Sequence, residues 1–458
     1  MKCSRSDIRR KIHALPKLRF EDQQLTSFSG LVIFQRLIEH LKFKEQLGRC
    51  FGHLNVTPIF GHSRIVLLLM THLLLGYRPL RHMRYYQEDP LILRLLGVTR
   101  LPDVATVSRT LSAMDSRSVD NLQQLLCDGV LNRLKSLALR RVTLDFDGSV
   151  IGTGRFAEGA AIGFNPRKKG RRSYYPLFCT VAQTGQVLAV LHRSGNVHDS
   201  NGAKAFILGC IDRIRARLPG IAIGVRMDSA FFSDAMVGAL DQEGIEYTIS
   251  VPFERFTRLK SLVEQRQYWY RLDDQCEYFE SHWKPQSWSR RHRFLFVQKL
   301  SKIQYKQPIQ LDLFTPYEYG YEYKVIVTNK RLRAAGVVAY HNGRGSQEKI
   351  FAELKSQCQL DYVPTRTWRG NQVYLLSALL AHNLTRELQI LVREPSRTTQ
   401  PKRPALWDFE QLLSFRQRIV QRAGRLIRPQ GKLTLSMNAN QAIQNEMLHY
   451  LNTLDKVA

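Results

Sequence analysis

The chain has 458 residues, 44% of them hydrophobic and 23% charged. That composition supplies a large core, excludes whole-chain disorder and, at about 100–200 residues per domain, allows roughly two to four domains. Sixty-eight Lys and Arg against 39 Asp and Glu leave a net charge of +29, an excess that favours a polyanionic partner, nucleic acid first and an anionic membrane surface second.

Lys2, Arg5, Arg9, Arg10 and Lys11 leave no room for a secretory apolar segment at the start. Residues 1–139 read as a helical region. Ile65 to Tyr77 is the longest apolar stretch, broken by Thr71 and His72. It is shorter than the 18 or so residues of a membrane span, so it reads as a buried helix that Pro79 stops. Pro90 to Gly97 and Leu101 to Met114 form an apolar helix, a glycine turn and a second helix rich in Thr, Ser and Arg. This pattern fits a helix-turn-helix, with Thr106, Ser108, Arg109 and Thr110 able to reach phosphates or bases, and equally an ordinary helical hairpin.

From Arg141 the period changes to two, and Val142 to Asp147 reads as a strand. Strands follow at 174–181 and 186–192, then a helix at 201–218 stopped by Pro219-Gly220. A buried strand at 221–227, a helix at 230–242 and a strand at 247–251 complete an α/β pattern with a mixed sheet over 140–254 and 326–394. Residues 255–325 carry three of the five tryptophans and short strand-like runs, and read as a β-rich insertion. Beyond a Pro-containing linker, residues 395–458 read as basic helices. The seven cysteines are scattered without a C-x-x-C pair, which argues against a zinc finger or disulfide framework and fits reduced thiols in the cytoplasm.

Carboxylates at strand ends are the first place to look for chemistry in an open α/β sheet. Asp145 and Asp147 close the first strand, and two residues apart they face the same way. Asp228 follows a hydrophobic strand directly; a helix cap is the plain alternative for it. In the run Tyr340 to Lys355, Arg344, Glu348 and Lys355 share one stripe of a helix, while Glu353 points elsewhere. An ordinary i,i+4 Arg–Glu pair explains the Arg344–Glu348 spacing as well. Three acids from separate elements in a basic protein suit two Mg²⁺ ions about 3.5–4 Å apart working on phosphodiesters, with Mn²⁺ able to substitute.

With these residues in view, the chain resembles the DDE transposases of bacterial insertion sequences. The likeness is to the group whose RNase H-like catalytic domain carries a β-strand insertion between the second Asp and the Glu. That group has a Tyr-x₂-Arg-x₃-Glu-x₆-Lys signature; Arg344, Glu348 and Lys355 fit it, while Tyr340 stands one residue too far from Arg344. Leu144 to Val150, Val225 to Phe232 and Arg172 to Phe178 look closest to the subgroup numbered thirteen-eighty. The resemblance implies Asp147, Asp228 and Glu348 as catalytic metal ligands, with Asp145 the alternative to Asp147. It also implies phosphate contacts from Tyr340, Arg344 and Lys355. Asp199 is a competing acid that reads as a helix cap.

Arg167, Lys168, Lys169, Arg171 and Arg172 form one basic run, and Lys284 to Lys306 holds seven cations and no acid, with Trp288, Arg290 and Arg291 among them. Solvated charge is the plain reading of both. Stacking of Trp283 or Trp288 on an extruded base, as in the resembled group, is the sharper one, and Trp368 between Arg366 and Arg369 is a further DNA-contact candidate. The expected activity is binding of terminal inverted repeats in double-stranded DNA, then strand cleavage and transfer to target DNA, by a homodimer on paired ends. The setting is the bacterial cytoplasm with its nucleoid, and no membrane. An inactive DNA-binding regulator derived from a transposase and a host nuclease of RNase H fold are the competing readings. The intact acidic trio argues against the first, and the helical N-terminal region favours end recognition over the second.

Overall fold

The computed structural model describes residues 16–54, 59–154, 157–163, 168–198, 201–300, 321–397 and 405–457. The N-terminal part is helical. It contains α1 (Leu31–His40), α2 (Phe43–Arg49), α3 (His62–Leu74), α4 (Pro90–Leu96), α5 (Val104–Ser112) and α6 (Ser116–Ser136). α3 is apolar on every side, and Ile65 to Leu74 are all buried, as a central helix requires. Aspartates start three of the others: Asp89, Asp103 and Asp115 each accept a backbone N–H in the first turn. Gly97 ends α4 in the left-handed region at φ 66. The link from Gly97 to Asp103 is longer than the 3–4-residue turn of a helix-turn-helix.

Eight longer strands and a two-residue edge strand build the main sheet. They are β1 (Arg141–Gly148), β2 (Leu177–Val181), β3 (Gln186–Leu191), β4 (Ala222–Met227), β5 (Glu246–Ser250), β6 (Cys276–Trp283), β7 (His292–Leu300) and β8 (Tyr321–Thr328), with Tyr270–Arg271 at the edge. Across the sheet the order is β3-β2-β1-β4-β5-β8-β7-β6 and then the edge strand. β1, β4 and β5 run parallel, and β2 is antiparallel to both β1 and β3. The order 3-2-1-4-5 with its second strand reversed is an RNase H-like sheet. Helices α7 (Ala203–Arg217) and α8 (Asp234–Gln242) connect β3 to β4 and β4 to β5.

The residues read as an insertion begin with a helix, α9 (Thr257–Glu264), before turning to strands. Those strands extend the same sheet, since β8 pairs antiparallel with β5 from Ile326↔Ser250 onward. Trp283, Trp288, Phe294 and Phe296 share one core with β1, β4 and β5. After β8 come α10 (Ala334–Asn342), α11 (Gly345–Gln357) and α12 (Trp368–Val392), the last packed on α3 and α6.

The C-terminal residues correct the expectation of basic helices in part: helical turns over Leu412–Phe415 and Arg416–Val420, with Arg416 and Arg418, are followed by strands. They form a hairpin of β9 (Gly424–Ile427) and β10 (Thr434–Met437), with β9 also paired to Leu25–Thr26. The sequence alternates there with period two, and the turn holds Gln430 and Gly431 at positive φ. The final helix, α13 (Gln441–Val457), carries Glu446 and Asp455 beside Lys456 and is not basic. Among the described residues no helix is long and apolar enough to cross a membrane.

Candidate active site

The sheet register brings two aspartates together. Asp145↔Arg226 and Phe146↔Met227 are the last partners between β1 and β4. Asp147 and Asp228 each come next on neighbouring parallel strands, whose spacing is about 4.8 Å. Asp147 is 18% exposed and accepts from Arg344 Nη1 at 3.1 Å. Asp228 is half-buried and accepts from the Ala230 N–H at 3.0 Å, capping the short turn Ser229–Phe231. The cap and a site at the strand end are compatible, because one carboxylate oxygen suffices for the cap.

The third acid arrives on a helix. α10 and α11 meet at Gly343 and Arg344, and a side chain at Gly343 would collide with the Arg226 guanidinium. This junction aims Arg344 at the strand ends. Its Nη2 lies 4.0 Å from Glu348 Oε1, so one guanidinium faces both Asp147 and Glu348. Glu348 is 69% exposed and stands in the first turn of α11. Lys355, seven residues on, lies about 10 Å further along the same face. Lys324 of β8 joins this corner, donating to Asn342 Oδ1 at 2.8 Å. Burial pushes the Lys324 ammonium down to about 8, with Arg344 acting in the same sense and Glu348 opposing.

Among the described residues no three His, Cys, Asp or Glu side chains stand close enough to hold a metal ion. The donors themselves fit a hard divalent cation: two neighbouring carboxylates at strand ends and an exposed third. The Arg344 guanidinium stands between Asp147 and Glu348, and its positive charge offsets the repulsion between those two carboxylates.

The family described as transposase DDE domain group 1 matches residues 9–458, nearly the whole chain. The chain belongs to this family of DDE transposases. No curated protein matches it. Among solved structures it is similar to the piggyBac transposase in a synaptic complex with hairpin DNA, at 11% identity and TM-score 0.43, covering 78% of this chain and 74% of that one. It is also similar to the Mos1 mariner paired-end complex with Mn, at 13% identity and TM-score 0.17, covering 50% and 78%. Both scores are low, and the RNase H-like assignment stands on strand order.

Several residues singled out in the transposase sequence turn to the core or to other partners, and others are exposed. Asp145, the alternative first ligand, is 1% exposed and places both carboxylate oxygens on Arg226. Tyr340 is also core: 1% exposed, its hydroxyl sits 3.5 Å from Thr143 Oγ1 and leaves no room for a Cβ at Gly224. It cannot touch DNA as the signature reading expected. Trp283 and Trp288 are buried, with Trp288 packed on Phe232 at 4.6 Å, so neither offers a face to a base. Arg290 and Arg291 beside it are exposed, as are Lys168, Lys169, Arg171 and Arg172. Arg167 and Asp199 lie outside the described residues. On α5, Arg109 is exposed and Ser108 half-buried, while Thr110 is buried and faces the core. Trp368 packs edge-on against Tyr174 and 4.3 Å from His192. Glu353 turns inward to a buried pair with Arg386, as its helix angle predicts.

Lys324 and Arg226 also stand at the α10–α11 corner and did not stand out in the sequence. Arg226 carries a usable signal, a charge inside an otherwise apolar strand. Lys324 carries none, since its strand is rich in charges.

Proposed function

We propose that this transposase binds the terminal inverted repeats of a bacterial insertion sequence and cuts and rejoins DNA strands at those ends. Asp147, Asp228 and Glu348 would hold two Mg²⁺ ions, with Mn²⁺ as a substitute. Bound there, the ions would supply Lewis-acid activation of a water or 3′-hydroxyl and charge stabilisation at the scissile phosphate. The chain's own residues do the rest. Arg344 moves from Asp147 toward a phosphate oxygen, and Lys355 and Lys324 line the path of the backbone beside it. Glu348 reaches the strand ends by side-chain rotation, which its exposure permits. Lys168, Lys169, Arg171, Arg172, Arg290, Arg291 and the outer face of α5 with Ser108 and Arg109 hold double-stranded DNA of the end and of the target. Two protomers act on paired ends. A DNA substrate places the protein in the cytoplasm with the nucleoid.

The observation that carries this reading is the register of β1 and β4, which sets Asp147 beside Asp228 while Arg344 spans Asp147 and Glu348. Asp228→Asn and Glu348→Gln are expected to lower cleavage of an end duplex by at least a thousandfold and to change its mobility-shift affinity less than threefold. Parent-level nicking by either variant would end the assignment.

A further inference from the structure

Beneath the three acids lies a charged pair in the core. Asp145 and Arg226 face each other across β1 and β4 and are 1% and 0% exposed. Arg226 Nε donates to Asp145 Oδ1 at 2.5 Å and Nη2 to Oδ2 at 2.6 Å. Its remaining nitrogen, Nη1, donates to the Tyr340 carbonyl at 2.9 Å, near the end of α10. The guanidinium also lies 5.3 Å from the Tyr340 ring centre. From α11, Gln347 Nε2 donates to the Asp145 carbonyl at 3.0 Å. Gly343 is bare where Arg226 passes it.

One guanidinium therefore ties together β1, β4 and the α10–α11 junction. Asp147 follows Asp145 by two residues, Asp228 follows Arg226 by two, and Arg344 and Glu348 follow Tyr340 by four and eight. Burying two ions costs several kcal/mol each before their attraction returns it, and apolar residues of similar size usually serve stability as well or better. A pair placed here at that cost needs another purpose. Planar, forked geometry supplies one, since it fixes distances and angles among three backbones at once.

We propose that Asp145 and Arg226 are positioning residues that set the spacing of Asp147, Asp228 and Glu348 for divalent-ion binding. Neither touches DNA or metal. The inference rests on the ligand reading of those three acids, and the test separates the two ideas.

Mn²⁺ binding to the DNA-free, full-length protein is measured by calorimetric titration, with thermal unfolding followed beside it. Asp145→Leu with Arg226→Met replaces the pair by apolar groups and is expected to fold with a midpoint within a few degrees of the parent. Its Mn²⁺ affinity is expected to fall at least tenfold. Arg226→Lys keeps the charge but replaces the planar fork by a single nitrogen that cannot span the same three acceptors, and is expected to lose three- to tenfold. Parent-like Mn²⁺ affinity in the folded double variant, or in Arg226→Lys should the double variant not fold, would overturn the proposal. Asp228→Asn tests the ligand reading itself: if it leaves Mn²⁺ affinity intact, the ligand assignment fails, whatever the positioning variants do. If Asp228→Asn weakens binding and the positioning variants do not, only the positioning role fails.

Discussion

Trp288 shows how burial decides between two roles for one side chain. In the sequence it stands among cations, where stacking on a base and core packing look alike. In the structure its ring meets Phe232 and the edge of His292 and is 7% exposed. Trp288→Ala is therefore expected to destabilise the protein by about 3–5 kcal/mol, while the folded fraction binds an end duplex as the parent does. Denaturant titration and filter binding on the same sample read both effects. A stacking role would give the reverse, with stability held and binding weakened by about 1–3 kcal/mol. Asp147, Asp228 and Glu348 stood out as candidates because an acid after an apolar strand, or on a helix stripe with cations, differs from its neighbours. The core roles of Asp145 and Tyr340 were not legible, because their partners lie far off in the chain. Asp145 meets Arg226 across two strands, and Tyr340 reaches Thr143 and Gly224 only once α10 is laid on the sheet.

The parallel strands β1, β4 and β5 were readable to within a residue, since buried parallel strands are near-continuous apolar runs with sharp ends. Pro176 divides the expected strand 174–181 into Arg172–Tyr174 and Leu177–Val181, because a proline cannot donate to a ladder. The C-terminal hairpin was hidden by its charge: Arg425, Arg428 and Lys432 look like a helix face until the turn at Gln430–Gly431 is seen. The short sheet of Ile151–Gly152, Arg172–Tyr174 and Ala161–Ile162 puts the basic run on display. Thr153, Ile162, Arg171 and Arg172 line a concave site of about 710 Å³, and Arg172 is oriented by its hydrogen bond to the Ala160 carbonyl at 3.0 Å. A DNA backbone running there would release counterions for each phosphate met. Lys169→Ala with Arg171→Ala is expected to shallow the slope of log affinity against log salt by roughly one for each phosphate no longer neutralised. Fluorescence anisotropy with an end duplex and with a scrambled one should change alike. An unchanged slope would move the DNA path away from this sheet.

The protein as a whole carries a net charge of +29 and several histidines in its interior. Burial pushes His72 down to about 4, His382 to about 4 and His192 to about 3. Above pH 6.5 these rings are neutral in both folded and unfolded chains and leave stability unaffected. Below it the unfolded chain takes up protons that the folded one refuses, so stability falls as pH drops from 6.5 toward 4. Each ring adds a slope of up to about 1.4 kcal/mol per pH unit in that window. Protonation of carboxylates on an already cationic surface acts in the same direction through self-repulsion. His192 separates the two causes. Its ring nitrogens have no hydrogen-bond partners among the described residues, and it packs on Tyr174 and Trp368 at 4.5 and 4.3 Å. His192→Phe keeps an aromatic ring against those two and removes one titrating group. Denaturant midpoints at pH 7.5, 6.0 and 5.0 should fall for the parent and fall less for the variant, the difference opening only below 6.5. Parallel curves would mean that the His192 ring is already reached by water, and that surface charge alone sets the acid limit of the fold.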